Sequence, residues 1–168
     1  MLAVMSIVLM SSQFTANGAI PATHTCEGAD QAPQLHWSGV PASAKSLALV
    51  VDDPDAPDPK APPSKKATWV HWVLYNLPPE ATSLPAGVTK ATLPPGTREA
   101  KNDWGTPGWR GPCPPIGRHR YFFKLYALDV VLPEIAGADK AKLEAAMKGH
   151  VVAEGQLIGT YEKSGKGK

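Results

Sequence analysis

Four apolar runs, each bounded by proline or glycine, most constrain what this chain can fold into. "SLALVV" (46–51), "TWVHWVLYNL" (68–77) and "RYFFKLYALDVVL" (120–132) are nearly continuous and rich in β-branched, aromatic and aliphatic residues, whereas "VVAEGQLIGTYE" (151–162) alternates more clearly. Apolar runs without polar alternation belong to strands covered on both faces. The first two are therefore expected at the centre of a sheet, and the core is expected to be mainly β. Proline, at 18 of 168 residues, is roughly twice its usual share, yet apolar residues make up 43%, so the chain is globular and loop-rich rather than disordered.

A chain of 168 residues has room for a single core, and one domain over 1–168 is expected, with 1–5 and 163–168 as frayed termini. A first strand is expected near Ser6 to Phe14. One stretch reads as a helix: Asp139 suits an N-cap, Leu143, Ala146 and Met147 share a face, and Gly149 closes the end. The forty or so residues between Pro78 and His119 are dominated by turn signals such as "LPPG", "WGTPGWRGP" and "CPP". Loops beyond ~12–15 residues are uncommon unless functional or mobile.

Lys and Arg total 17 against 15 Asp and Glu, too small an excess to gather nucleic-acid phosphates, so no nucleic-acid partner is expected. The tail "KSGKGK" reads as a solubilising terminus. No apolar run approaches the ~20 residues of a membrane-spanning helix. The opening 14 residues are apolar but lack a basic n-region and an A-x-A-like cleavage site. A cytoplasmic location is expected, or a periplasmic or secreted one if residues 1–14 belong to a signal segment. Cys26 and Cys113 lie 87 positions apart with no zinc-like spacing. They are either free thiols, which would suit the cytosol, or one disulfide, which would suit an exported protein.

Asp53 closes one expected strand, His71 lies within another and His119 immediately precedes a third, so all three can meet at one sheet edge. Each has an ordinary alternative. Asp before Pro commonly caps a turn, a histidine flanked by "TWV" and "WVLYN" can be a core residue paired with backbone, and His119 between Arg118 and Arg120 can sit in a solvated basic turn. For Asp52, Asp55 and Asp58 turn chemistry is the expected role.

"SLALVVDDPDAP", "HWVLYNLP" and "GPCPPIGRHRYFFKLYAL" resemble, in order, three signature segments of the phosphatidylethanolamine-binding proteins, also called Raf kinase inhibitor proteins. With "IPATHTCEG", "LHWSGVP" and "MKGHVVAEGQLIGTY" the likeness runs from about Ser6 to Glu162, in the spelling of the bacterial and archaeal branch. The resemblance implies a β-sandwich of a large and a small sheet, with one or two short helices near the C-terminus and a small anion pocket at one edge. It implies that Asp53, His71 and His119 line that pocket, that Pro57, Tyr121, Pro114 and Pro115 form its wall, and that Asp55 supports the site. The "DPKAPPSKKA" loop, Arg118 before the second histidine, and the lack of the C-terminal helix of mammalian relatives depart from the pattern.

The expected function is binding of a small anionic or phosphate-bearing ligand, such as a phosphoethanolamine headgroup, without catalysis or cofactor. Imidazoles can donate to phosphate oxygens. An Asp53 carboxylate would repel phosphate, so it either takes a ligand ammonium or stays protonated. Two alternatives stand beside this reading. One is a protease or kinase inhibitor acting through loop 102–118, with Trp104 and Trp109 as anchors or else packed onto their own sheet. The other is a metal-dependent enzyme using Asp53, His71 and His119. No G-x-S-x-G, P-loop or dinucleotide fingerprint is present. Relatives in bacteria are often dimers, so a homodimer is compatible with the resemblance.

Overall fold

The computed structural model describes residues 3–164. Among these residues, nine strands make two sheets. β1 (Met5–Ser6), β9 (Val151–Tyr161), β8 (His119–Leu128), β4 (Ser46–Asp53), β5 (Trp69–Leu77) and β7 (Arg98–Glu99) form a six-stranded sheet in that order, and β2 (Val8–Met10), β3 (Leu35–Ser38) and β6 (Ser83–Leu84) form a three-stranded one. All neighbours are antiparallel except β1 and β9. One α-helix, α1 (Lys140–Met147), covers the outer face of the large sheet.

The continuous apolar character of β4 follows from this layering, since all eight of its residues are buried. Leu47, Leu49 and Val51 face the small sheet and pack with Leu35, Trp37 and Leu84. Ala48 and Val50 face the other way and pack beneath Leu143 and Met147 of α1. As the sequence predicts, the Asp139 carboxylate accepts the Lys142 N–H at 2.8 Å and caps the helix, and Gly149 takes a φ of +83° just past its end.

Two local expectations are modified. The segment expected as one strand near Ser6 to Phe14 is two short strands, with Ile7 crossing from the large sheet to the small one. Ile7 N–H donates to Glu154 O at 2.9 Å, and a Cβ on Gly155 would lie 2.2 Å from Ile7 O. Only glycine admits that crossing. The stretch from Pro78 to His119 is not structureless, because it contributes β6 and β7, each two residues long. At the termini expected to fray, Met5 pairs with Ala153 and Ser164 donates to Glu27, while residues 1–2 and 165–168 lie outside the described residues. No helix among the described residues is long and apolar enough to cross a membrane.

Candidate functional site

The ends of three central strands converge on a cavity of about 220 Å³ at one edge of the sandwich. Asp53 comes from the end of β4, Trp69 and His71 from the start of β5, and His119 and Tyr121 from the start of β8; Ala56, Pro57, Trp104, Cys113, Pro114 and Pro115 close it from the loops. Seven of the eight residues expected from sequence therefore line one hole. Asp55 does not line it. Its carboxylate accepts the Arg120 N–H, Nε and Nη2, each at 2.9 Å, and so ties the loop after β4 to β8. Burial works against the Asp55 charge, but the Arg120 fork and backbone N–H hold the carboxyl below its ordinary value.

Asp53 keeps the alternation of β4 and points into the sandwich. His71 reaches the same side by a different device. Val51 pairs with Trp72 and Asp52 with Val70, so His71 is an extra residue in β5. A bulge breaks the two-residue side-chain period and re-aims a side chain, and here adjacent His71 and Trp72 both turn inward. The loop takes up the displaced backbone: Arg110 N–H donates to His71 O at 3.3 Å, and Asp103 Oδ2 accepts the Val70 N–H at 2.8 Å.

The two histidines differ in their hydrogen bonds. His119 is fully buried, with Nδ1 2.6 Å from Asp53 Oδ2 and Nε2 2.9 Å from Ile116 O. Both partners are acceptors, so the ring donates from both nitrogens and is an imidazolium. Burial opposes that charge, but the hydrogen bond and charge of Asp53, with Ile116 O, raise the ring above its ordinary value of 6.5. Asp53 Oδ1 in turn accepts the Asp55 N–H at 2.7 Å. To the two partners expected for Asp53, a proton or a ligand ammonium, the geometry adds an internal one, the His119 ring.

His71 Nδ1 lies 2.5 Å from Arg110 O and donates to it, which leaves Nε2 for the cavity. Burial lowers His71 below 6.5, against the raising effects of Arg110 O and nearby aspartates. At neutral pH the ring is thus uncharged and its Nε2 accepts. Tyr121 stands edge-on to His71, with ring centroids 5.2 Å apart. Burial, and then the charges of Asp53 and Asp55, push its phenol far up, so it remains a donor.

Several contributors went unread in the sequence. Trp69 and Trp104 wall the cavity edge to face, with centroids 5.4 Å apart, and the Arg110 guanidinium sits 4.7 Å over the Trp104 ring. Arg118 is directed elsewhere, donating to Thr160 Oγ1 and pairing with Glu162. The cysteines form a disulfide whose Cα atoms are 5.5 Å apart. With the Cys26 N–H on Pro112 O, it ties the cavity loop to segment 22–28. Trp109 packs on Trp72 and Phe123 rather than standing clear as an anchor. Among the described residues, no group of three or more His, Cys, Asp or Glu is placed to hold a metal ion.

The family model described as phosphatidylethanolamine-binding protein matches residues 10–162. The chain belongs to the phosphatidylethanolamine-binding protein family. Among relatives of this family, a UPF0098 protein of Methanothermobacter thermautotrophicus is 49% identical over 156 residues, covering 92% of this chain and 98% of its own. A solved structure of a phosphatidylethanolamine-binding protein homologue from Chlamydia trachomatis superposes with a TM-score of 0.84 at 40% identity, covering 95% of this chain and 99% of that one. Escherichia coli YbcL, described as a new member of the mammalian phosphatidylethanolamine-binding protein family, gives 0.83 at 31% identity, with 94% and 99% covered. These neighbours also support the expected two-sheet sandwich.

Proposed function

We propose that the cavity binds a small phosphate-bearing ligand without transforming it, and that His71 and Tyr121 are the groups that touch the phosphate. The observation that carries this reading is the commitment of His71 Nδ1 to Arg110 O. It leaves one acceptor, Nε2, beside one donor, the Tyr121 hydroxyl. A phosphate monoester with its second pKa near 6 keeps a P–OH in about a tenth of its molecules at pH 7 and in more of them below it, and that monoanion answers both groups at once. A carboxylate answers only the donor. The Asp53 oxygens each accept one protein N–H and keep a further lone pair, which suits the ammonium of a zwitterionic headgroup such as phosphoethanolamine. Trp69, Trp104, Pro57, Pro114 and Pro115 give an apolar wall to whatever continues from the phosphate.

The test is a histidine-resolved NMR titration with phosphate, phosphoethanolamine and sulfate. Sulfate matches phosphate in shape but brings no proton for Nε2. The expected result is that phosphate and phosphoethanolamine move the His71 resonances saturably at neutral pH, while sulfate binds about tenfold more weakly, the worth of one hydrogen bond to a charged group. Unmoved His71 resonances with both phosphate ligands would overturn the reading, as would equal affinity for sulfate.

A further inference from the structure

A second cavity, of about 470 Å³, shares no lining residue with the first. Its size lies within the ~300–1,000 Å³ range of small-molecule sites. Trp72 and Trp109 wall it edge to face, with ring centroids 5.6 Å apart, and Val88 and Leu93 extend the apolar surface.

Opposite charges interrupt that wall. Glu99 is half-buried and Lys90 stands exposed, and among the described residues neither closes an ion pair with the other or with a third group. A Cβ on Gly108, whose φ is +94°, would lie 3.3 Å from Glu99 Oε2, so glycine there keeps room around the carboxylate. Asp30 also borders the cavity, but its Oδ1 accepts the Gly111 N–H at 2.9 Å. The Trp109 Nε1–H is buried and has no acceptor among the described residues. The Trp109 ring meets Trp72 and stacks on Phe123, so the indole gives the cavity ring surface rather than a donor. Burial raises the Glu99 carboxyl above its ordinary value, opposed by Lys90, as expected for an acid short of a counter-ion.

The geometry points to this cavity as a binding site for a zwitterionic α-amino acid. The ammonium lies on Glu99 beside the tryptophan rings, where carboxylate and π-face both favour a cation. The ligand carboxylate lies on Lys90, and the side chain lies along Val88 and Leu93. A simple amine would leave Lys90 unanswered, and a simple carboxylate would leave Glu99 unanswered.

The experiment follows the Trp109 indole N–H by NMR in the full chain, assigned with Trp109→Phe, during titration with leucine, isopentylamine or 4-methylpentanoate. Leucine is expected to shift this resonance saturably, with each half-ligand binding at least about tenfold more weakly, as for loss of one charge-assisted contact. Glu99→Gln and Lys90→Met are each expected to weaken leucine by a similar factor, with the remaining spectrum unchanged to certify the fold. The assignment is overturned if millimolar leucine leaves the Trp109 resonance in place, if isopentylamine or 4-methylpentanoate binds as tightly as leucine, or if both variants bind leucine like the parent.

Discussion

His119 Nδ1 lies 2.6 Å from Asp53 Oδ2, and the opposite ring nitrogen lies 2.9 Å from the carbonyl of Ile116. The pair joins the end of β4 to the start of β8 and leaves His119 no free nitrogen for a guest. Its role is to hold Asp53 and the 111–118 loop. Removing one partner of a buried charge pair costs about 3–5 kcal/mol, so His119→Ala should lose stability on that scale in urea unfolding. Nitrogen NMR should show both His119 nitrogens protonated at neutral pH.

The two histidines should shift stability in opposite directions with pH. His119, raised in the folded state, stabilises fully below the ordinary value of 6.5, and this contribution fades as pH rises through the raised folded value. His71, lowered in the folded state, is protonated first in the unfolded chain, so it destabilises as pH falls below 6.5. Proton NMR of the two rings, alongside unfolding at several pH values, should show His71 titrating below 6.5 and His119 above it.

Neighbouring Asp52 and Asp53 should respond separately. Asp52 faces α1, where Lys124 and Lys140 approach it at 3.1 and 2.8 Å. Those lysines keep 28% and 22% of their side chains in water, so Asp52→Asn should cost roughly 2–3 kcal/mol, less than a fully buried pair. Calorimetric titration with phosphate should show its affinity unchanged.

Tyr121→Phe removes a donor without opening a large void. A hydrogen bond to a charged group contributes about 1.5–3 kcal/mol, so phosphate affinity should fall roughly tenfold or more. Circular dichroism should find the melting temperature close to the parent's.

The disulfide spans 87 residues and holds the loop that carries Pro114, Pro115 and Ile116. Replacing both cysteines by serine should cost about 2–4 kcal/mol and weaken phosphate binding, both readable by thermal melts and calorimetry. Such bridges persist in oxidising compartments, so alkylation in intact cells before lysis should find neither thiol free.

The sheet was legible because long apolar strands need cover on both faces, and the helix because Asp139, Leu143 and Met147 carry its cap and its buried side. The pocket trio was legible because Asp53 and His119 stand at strand boundaries. The bulge at His71 was not, since nothing in "WVHWV" marks which residue is extra; that is decided by pairing with β4. Nor was the role of His119 legible, because its two acceptors lie 66 and 3 residues away. The crossing at Ile7 left its trace only in Gly155, far along the chain.

Pro57, Pro114 and Pro115 have no amide proton, so at those three wall positions the main chain has nothing to donate to an anion. Helix-terminus phosphate sites grip with rows of fixed backbone N–H groups. A phosphate held as proposed would rest on side chains that rotate or titrate, so guests should come and go quickly, and occupancy should track supply and acidity from moment to moment.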